Sequence, residues 1–162
     1  MQDPENRTTF DFVASTGAED RTGDIIDQAG WQLDHYKANP VVLFAHRWQE
    51  PPVGKTEKLW LDQGRLMAKV QFAPTDLGTQ LALLTAGGYI KALSVGLIPL
   101  RWDRRPNNAG LHIHQAELLE ISVCPVPQNP DAVRKALYNL APDDNPEPLI
   151  AAINALRHSL GG

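Results

Sequence analysis

Three polar residues stand in otherwise apolar segments, and each is of a type that can move protons or attack a carbonyl: His46, Ser94 and Glu120. His46 follows Val42-Leu43-Phe44-Ala45, so its ring belongs where a buried strand reaches the surface. An imidazole anchored there still meets solvent and can take a proton near neutral pH, as a general base must. A strand-end histidine bonded to a loop is the plainer alternative. Ser94 lies in Lys91-Ala92-Leu93-Ser94-Val95-Gly96-Leu97. With period two, Leu93, Val95 and Leu97 point one way, and Ala92, Ser94 and Gly96 the other. Small neighbours would leave the hydroxyl open to a peptide laid alongside, which a nucleophile requires; a hydroxyl satisfying a local backbone group reads equally simply. Glu120 alternates with Leu119, Ile121 and Val123. A carboxylate there could accept a proton from the second imidazole nitrogen and fix its tautomer, or be an exposed strand residue. Ser122, on the Glu120 face, is a competing nucleophile.

Other reactive residues carry less. Cys124 is the sole cysteine, which excludes an intramolecular disulfide and any zinc site built on several thiolates. Its apolar setting, Ile121-Ser122-Val123-Cys124-Pro125, reads as a buried, inert thiol. His112 and His114 are two apart and share a strand face, so they could bind a metal with His35 or His46, or form a solvated polar face. A metal hydrolase on His46, His112 and His114 is the weakest enzyme reading, and the expected sites contain no metal and no cofactor. Gly54-Lys55-Thr56 resembles the end of a phosphate-binding loop, but Gln49 stands where the first glycine belongs and a strand, not a helix, is expected after it. Ala92 likewise removes the first glycine of a G-x-S-x-G elbow around Ser94.

The elements that must position these groups are short and strand-like. Phe10, Phe12 and Ala14 mark a first strand, and Val41 to Ala45, opened by Pro40, a strand buried on both faces. Leu59-Trp60-Leu61, the turn Asp62-Gln63-Gly64 and Leu66 to Phe72 form a hairpin, with Leu66, Ala68, Val70 and Phe72 inward. Thr75 caps a helix carrying Leu77, Leu81 and Leu84, stopped by Gly87-Gly88. Then come the apolar segment Ala92 to Leu100, a polar loop through residues 104–108, and two strands around Leu111 to His114 and Leu118 to Val123. Asn129-Pro130-Asp131 is expected to begin a short helix to about Leu140. The chain thus divides into a β-rich domain over 8–140, a Pro- and Asp-rich linker over 141–148, and an amphipathic C-terminal helix over 149–162 carrying Leu149, Ile150, Ile153, Leu156 and Leu160.

Composition bounds the rest. At 162 residues, with 43% hydrophobic and 21% charged residues, the chain is globular in character. Its formal charge of -4 lacks the basic excess that a phosphate backbone would attract, so no nucleic-acid partner is expected. No apolar stretch approaches the roughly 20 residues that span a bilayer, and the amino terminus shows no signal-peptide pattern, so no membrane partner is expected either.

Five blocks in order are more specific than any single residue. They are Asp20-Arg21-Thr22-Gly23-Asp24-Ile25-Ile26; Asn39-Pro40 through His46; Pro52-Val53-Gly54-Lys55; Leu93-Ser94-Val95-Gly96-Leu97; and Leu119-Glu120-Ile121-Ser122-Val123-Cys124-Pro125 through Ala132. Together they resemble the tailed-phage prohead maturation protease family, over about residues 10–132. The resemblance implies a mainly β fold with α elements: a mostly antiparallel β-barrel of the herpesvirus-protease type, surrounded by a few helices. It implies a serine endopeptidase that trims the scaffold region of the capsid protein, and itself, with His46 as base and Ser94 as nucleophile. Glu120 matches the third position; herpesvirus relatives use a second histidine, which keeps His112 and His114 in view. The implied partners are the scaffold segment of the major capsid protein and scaffold protein as substrate, with a homo-oligomer expected. The implied place is the host bacterial cytoplasm, inside the immature capsid. Gln128 departs from the family's usual alanine, a difference expected to be structural. A backbone N–H in the Arg101–Arg105 segment is a candidate oxyanion donor. The contrasting reading is a catalytically silent β-barrel module that binds within the capsid.

Overall fold

The structure is a computed structural model and describes residues 8–133. In chain order its elements are β1 (Thr9–Thr16), β2 (Ile25–Ile26), β3 (Trp31–Gln32), α1 (Asp34–Ala38), β4 (Val41–Phe44), β5 (Gly54–Asp62), β6 (Arg65–Phe72), α2 (Asp76–Ala86), β7 (Ala92–Arg104) and β8 (Leu111–Cys124). The expected helix from residue 129 is not formed through Val133. Its continuation to Leu140, the linker 141–148 and the helix 149–162 lie outside the described residues. No helix among the described residues is long and apolar enough to cross a membrane.

All eight strands join one sheet, running β1-β6-β5-β4-β8-β2, with β3 and β7 also paired to β8. The sheet curls into a nearly closed barrel. Residues 132–133 help to bridge its ends: Val13 of β1 donates to the Val133 carbonyl at 3.1 Å, and Leu93 of β7 donates to the Ala132 carbonyl at 3.0 Å. The sheet is mixed, not mostly antiparallel. β1–β6, β4–β5, β5–β6 and β7–β8 are antiparallel, whereas β2, β3 and β4 each run parallel to β8. Parallel neighbours need crossover connections, and short strands separated by turns and α1 gave no sequence signal for them.

Phe12, Val42, Leu66, Ala68, Val70, Phe72, Leu93, Leu118, Ile121 and Val123 fill the interior, and Leu81 of α2 closes over them. Thr75 caps α2 as expected, its hydroxyl accepting from the Gly78 N–H at 3.1 Å; Leu77, however, is exposed. The two strands expected over 111–123 are one continuous strand, β8. A bulge explains why its pattern misleads. Gly96 pairs with Glu120 but Leu97 pairs with Leu118, leaving Leu119 out of register. The bulge shifts the phase by one residue, so Leu118, not Leu119, joins Ile121 and Val123 in the core.

Candidate active site

β8 lies between β4 and β7 along its C-terminal half, and that adjacency assembles the site. Val42, Leu43 and Phe44 pair with Ile121, Ser122 and Val123, while on the other side Ser94 pairs with Ser122 and Gly96 with Glu120. Glu120 and Ser122 therefore occupy the strand between the histidine's strand and the serine's.

His46 is not a simple strand-end residue. Ala45 and His46 both take left-handed backbone conformations, with φ of 51° and 58°. Neither is a glycine, so each costs roughly 1–3 kcal/mol and must be held by its surroundings. The Ala45 N–H donates to the Val123 carbonyl at 3.0 Å, and the His46 N–H donates to Ser122 Oγ at 3.0 Å. The turn aims the ring back over β8, where His46 Nδ1 lies 2.5 Å from Glu120 Oε1. The other carboxylate oxygen accepts from Ser122 Oγ at 2.6 Å.

Burial sharpens the pair: the Glu120 side chain is 3% exposed and the imidazole 42%. The carboxylate is withdrawn from water while the far edge of the ring remains accessible. The ring pKa is pushed up to about 10, first by the neighbouring Cys124 and then by the Glu120 carboxylate, against partial burial. Cys124, read from sequence as inert, thus bears on the ring. Ser122, read as a rival nucleophile, instead joins the His46 main chain to the carboxylate. A polar residue at every second position, Glu120-Ile121-Ser122-Val123-Cys124, was the available signal for both.

His46 and Ser94 line one cleft of about 270 Å³, together with Thr16, Asp20, Asp24, Ile26, Ile113, Gln128 and Asn129. Sequence reasoning had not placed the Asp20–Asp24 loop in a site. Asp20 Oδ1 accepts from the Thr22 and Asp24 N–H groups at 2.8 and 2.9 Å, and Asp24 Oδ1 accepts from the Leu111 N–H at 2.7 Å. Gln128 reaches the same loop, donating from Nε2 to Thr22 Oγ at 2.8 Å.

Several expectations change. Gly96 does not leave room for a substrate backbone: a Cβ there would stand 2.5 Å from Glu120 Oε1, so its space is already filled by the carboxylate. His112 and His114 are bonded to Asp27, at 2.7 and 2.8 Å, and His35 to Glu117 at 2.7 Å, so the sets combining His112 and His114 with His46 or His35 do not form. Arg101 to Arg104 lie in β7, paired with Gln115 to Leu111. Seven residues of strand, at about 3.3 Å each, put Arg101 about 23 Å along β7 from Ser94, which argues against that segment as the oxyanion donor.

A family model described as caudovirus prohead serine protease matches residues 9–142. The chain is 28% identical over 150 residues to the prohead protease of Escherichia phage T5, covering 82% of this chain and 62% of that protein. Among solved structures it resembles the KSHV protease in complex with a hexapeptide phosphonate inhibitor, with a TM-score of 0.50, 14% identity, and coverage of 78% of this chain and 63% of that one. At that identity the likeness is one of fold. The chain spans about three fifths of the length of each relative.

Proposed function

Because this chain belongs to the caudovirus prohead serine protease family, we propose that it is a serine endopeptidase in which Ser94 is the nucleophile, His46 the general base and Glu120 the group that orients the base. The observation that carries the reading is the contact between His46 Nδ1 and the buried Glu120 carboxylate, on a ring that shares its cleft with Ser94. With Nδ1–H given to Glu120, Nε2 is the nitrogen free to receive a proton. In the neutral ring it takes the Ser94 hydroxyl proton as Oγ attacks the scissile carbonyl, then delivers it to the leaving amine. Glu120 stabilises the imidazolium formed between these steps. Serine and carboxylate come from the paired strands β7 and β8, and the histidine from the left-handed turn that follows β4, so the sheet and that turn together set their spacing.

The substrate we infer is an extended segment of capsid or scaffold protein, cut within the immature shell in the host cell. The name of the phage T5 relative and the cleft alongside β7 support this, since a disordered segment can lie beside a strand in extended form. Self-cleavage and a homo-oligomer belong to the same proposal.

Incubation with a fluorophosphonate probe, followed by peptide mapping, tests the chemistry directly. Ser94 is expected to be labelled, and Ser94→Ala to lose both labelling and scaffold trimming while keeping its circular dichroism. Trimming that persists in Ser94→Ala would remove Ser94 from the mechanism. A folded wild-type chain that neither labels nor cleaves would favour the silent binding module.

A further inference from the structure

His114 carries a carboxylate at each ring nitrogen: Nδ1 lies 2.8 Å from Asp27 Oδ2, and Nε2 lies 2.9 Å from Asp103 Oδ2. A neutral imidazole has one N–H, so one of these contacts would set a nitrogen lone pair against a carboxylate oxygen. The arrangement calls for a positive charge at the ring, brought by either a second proton or a metal ion. Asp27 uses its other oxygen on His112, 2.7 Å from Nε2, and the two imidazole centroids are 4.3 Å apart. One ligand atom from each of Asp27, His112 and His114 falls within 4.8 Å of the other two.

We propose that Asp27, His112 and His114 form a binding site for a borderline divalent cation, zinc foremost, with Asp103 orienting His114 from behind. Two imidazoles and a carboxylate are a zinc donor set, and bonds of about 2.0–2.1 Å to tetrahedral zinc place the ligand atoms about 3.3 Å apart. The observed nitrogen–oxygen contacts, 2.7 Å to one Asp27 oxygen and 2.8 Å to the other, must open by about half an ångström, while the three ligand atoms already lie within 4.8 Å of one another, so side-chain adjustments of about an ångström admit the ion. Asp103 accepting from Nε2–H leaves Nδ1 as the donor to the metal, the usual carboxylate support of a ligating histidine. His112 and Asp27 are part-exposed, which leaves a path of entry and a position for water.

The location gives the site a role. Strand alternation turns His112 and His114 away from Ile113, and Ile113 lines the cleft with Ile26, the neighbour of Asp27. A cation held by Asp27 after β2 and by His112 and His114 on β8 would fasten these two strands behind one wall of the cleft.

Zinc titration of the chelator-treated full-length chain by calorimetry, near neutral pH, tests this. One equivalent is expected to bind with release of protons. Affinity is expected to fall at least about tenfold in His112→Gln and in His114→Gln, and to hold in Cys124→Ser. Cobalt added to the unaltered protein is expected to give tetrahedral bands without a thiolate charge-transfer band, a readout that does not depend on any variant folding. No stoichiometric binding, binding that survives both histidine substitutions, or a thiolate band assigning the ion to Cys124 would each overturn the proposal. None of these outcomes bears on the fluorophosphonate result.

Discussion

A carboxylate whose two oxygens are bonded to different groups cannot swing freely. Glu120 gives Oε1 to the His46 ring and Oε2 to the Ser122 hydroxyl, and is buried around both. Its charge therefore acts on the imidazole at short range in a setting of low dielectric. The raised ring pKa has a direct kinetic consequence. A general base works in its neutral form, so kcat/KM is expected to climb with pH on a limb above the ordinary imidazole value of 6.5. Replacing Glu120 by Gln removes the negative charge, so the limb should move to lower pH while the rate falls about 10⁴-fold. Cys124→Ala should lower the limb too, with a smaller loss of rate, since the sulfur acts on the ring without orienting it. Parallel pH–rate profiles check this. A limb that stays in place in both variants would contradict the assigned causes.

The meeting of three strand neighbours depends on one absent side chain. Gly96 stands opposite Glu120 across β7 and β8, and a methyl there would come within 2.9 Å of Glu120 Cγ as well as 2.5 Å of Oε1. Both contacts are to a side chain and not to backbone, so Gly96→Ala is expected to displace the carboxylate and leave the strands paired. The expected loss is about 100-fold in kcat, the scale of an ångström's misplacement at a reacting group. The limb of the pH profile should shift toward that of Glu120→Gln. A thermal melt beside the kinetics separates this from unfolding: a large drop in melting temperature with a normal pH limb would show that Gly96 serves the barrel and not the carboxylate.

Across the whole molecule, histidine–carboxylate pairs tie sequence-distant elements together, and they give stability a definite pH dependence. His35 is raised by its bond to Glu117, His46 by Cys124 and Glu120, and His114 by Asp27 and then Asp103. Each contributes stability in full below 6.5 and loses it as pH rises through its folded value. Asp27 is lowered by its bonds to His112 and then His114, so its contribution is present above 3.8 and lost as pH falls through its own folded value. The chelator-treated chain should therefore melt at its highest temperature between about pH 4 and 6.5 and soften on the alkaline side. Cleavage should rise over that same alkaline range. Calorimetric melts across pH check it, and a melting temperature that increases steadily above neutrality would contradict the pairing.

Period-two alternation and turn residues were enough to mark most strands, because strand burial is a local property: Leu66, Ala68, Val70 and Phe72 face inward wherever β6 sits. The types and neighbours of His46, Ser94 and Glu120 were legible for the same reason, as was the Thr75 cap. Which strands become neighbours is not local. The parallel pairing of β4 with β8 and the left-handed turn at Ala45-His46 arise only when residues some 80 positions apart pack together, and the bulge at Leu119 only when β7 and β8, more than 20 positions apart, pair. Those features bring Glu120 and Cys124 to the imidazole and turn Ser122 from rival into support. They also give His112 and His114 to Asp27, a partner about 85 positions away that no spacing along the chain could announce.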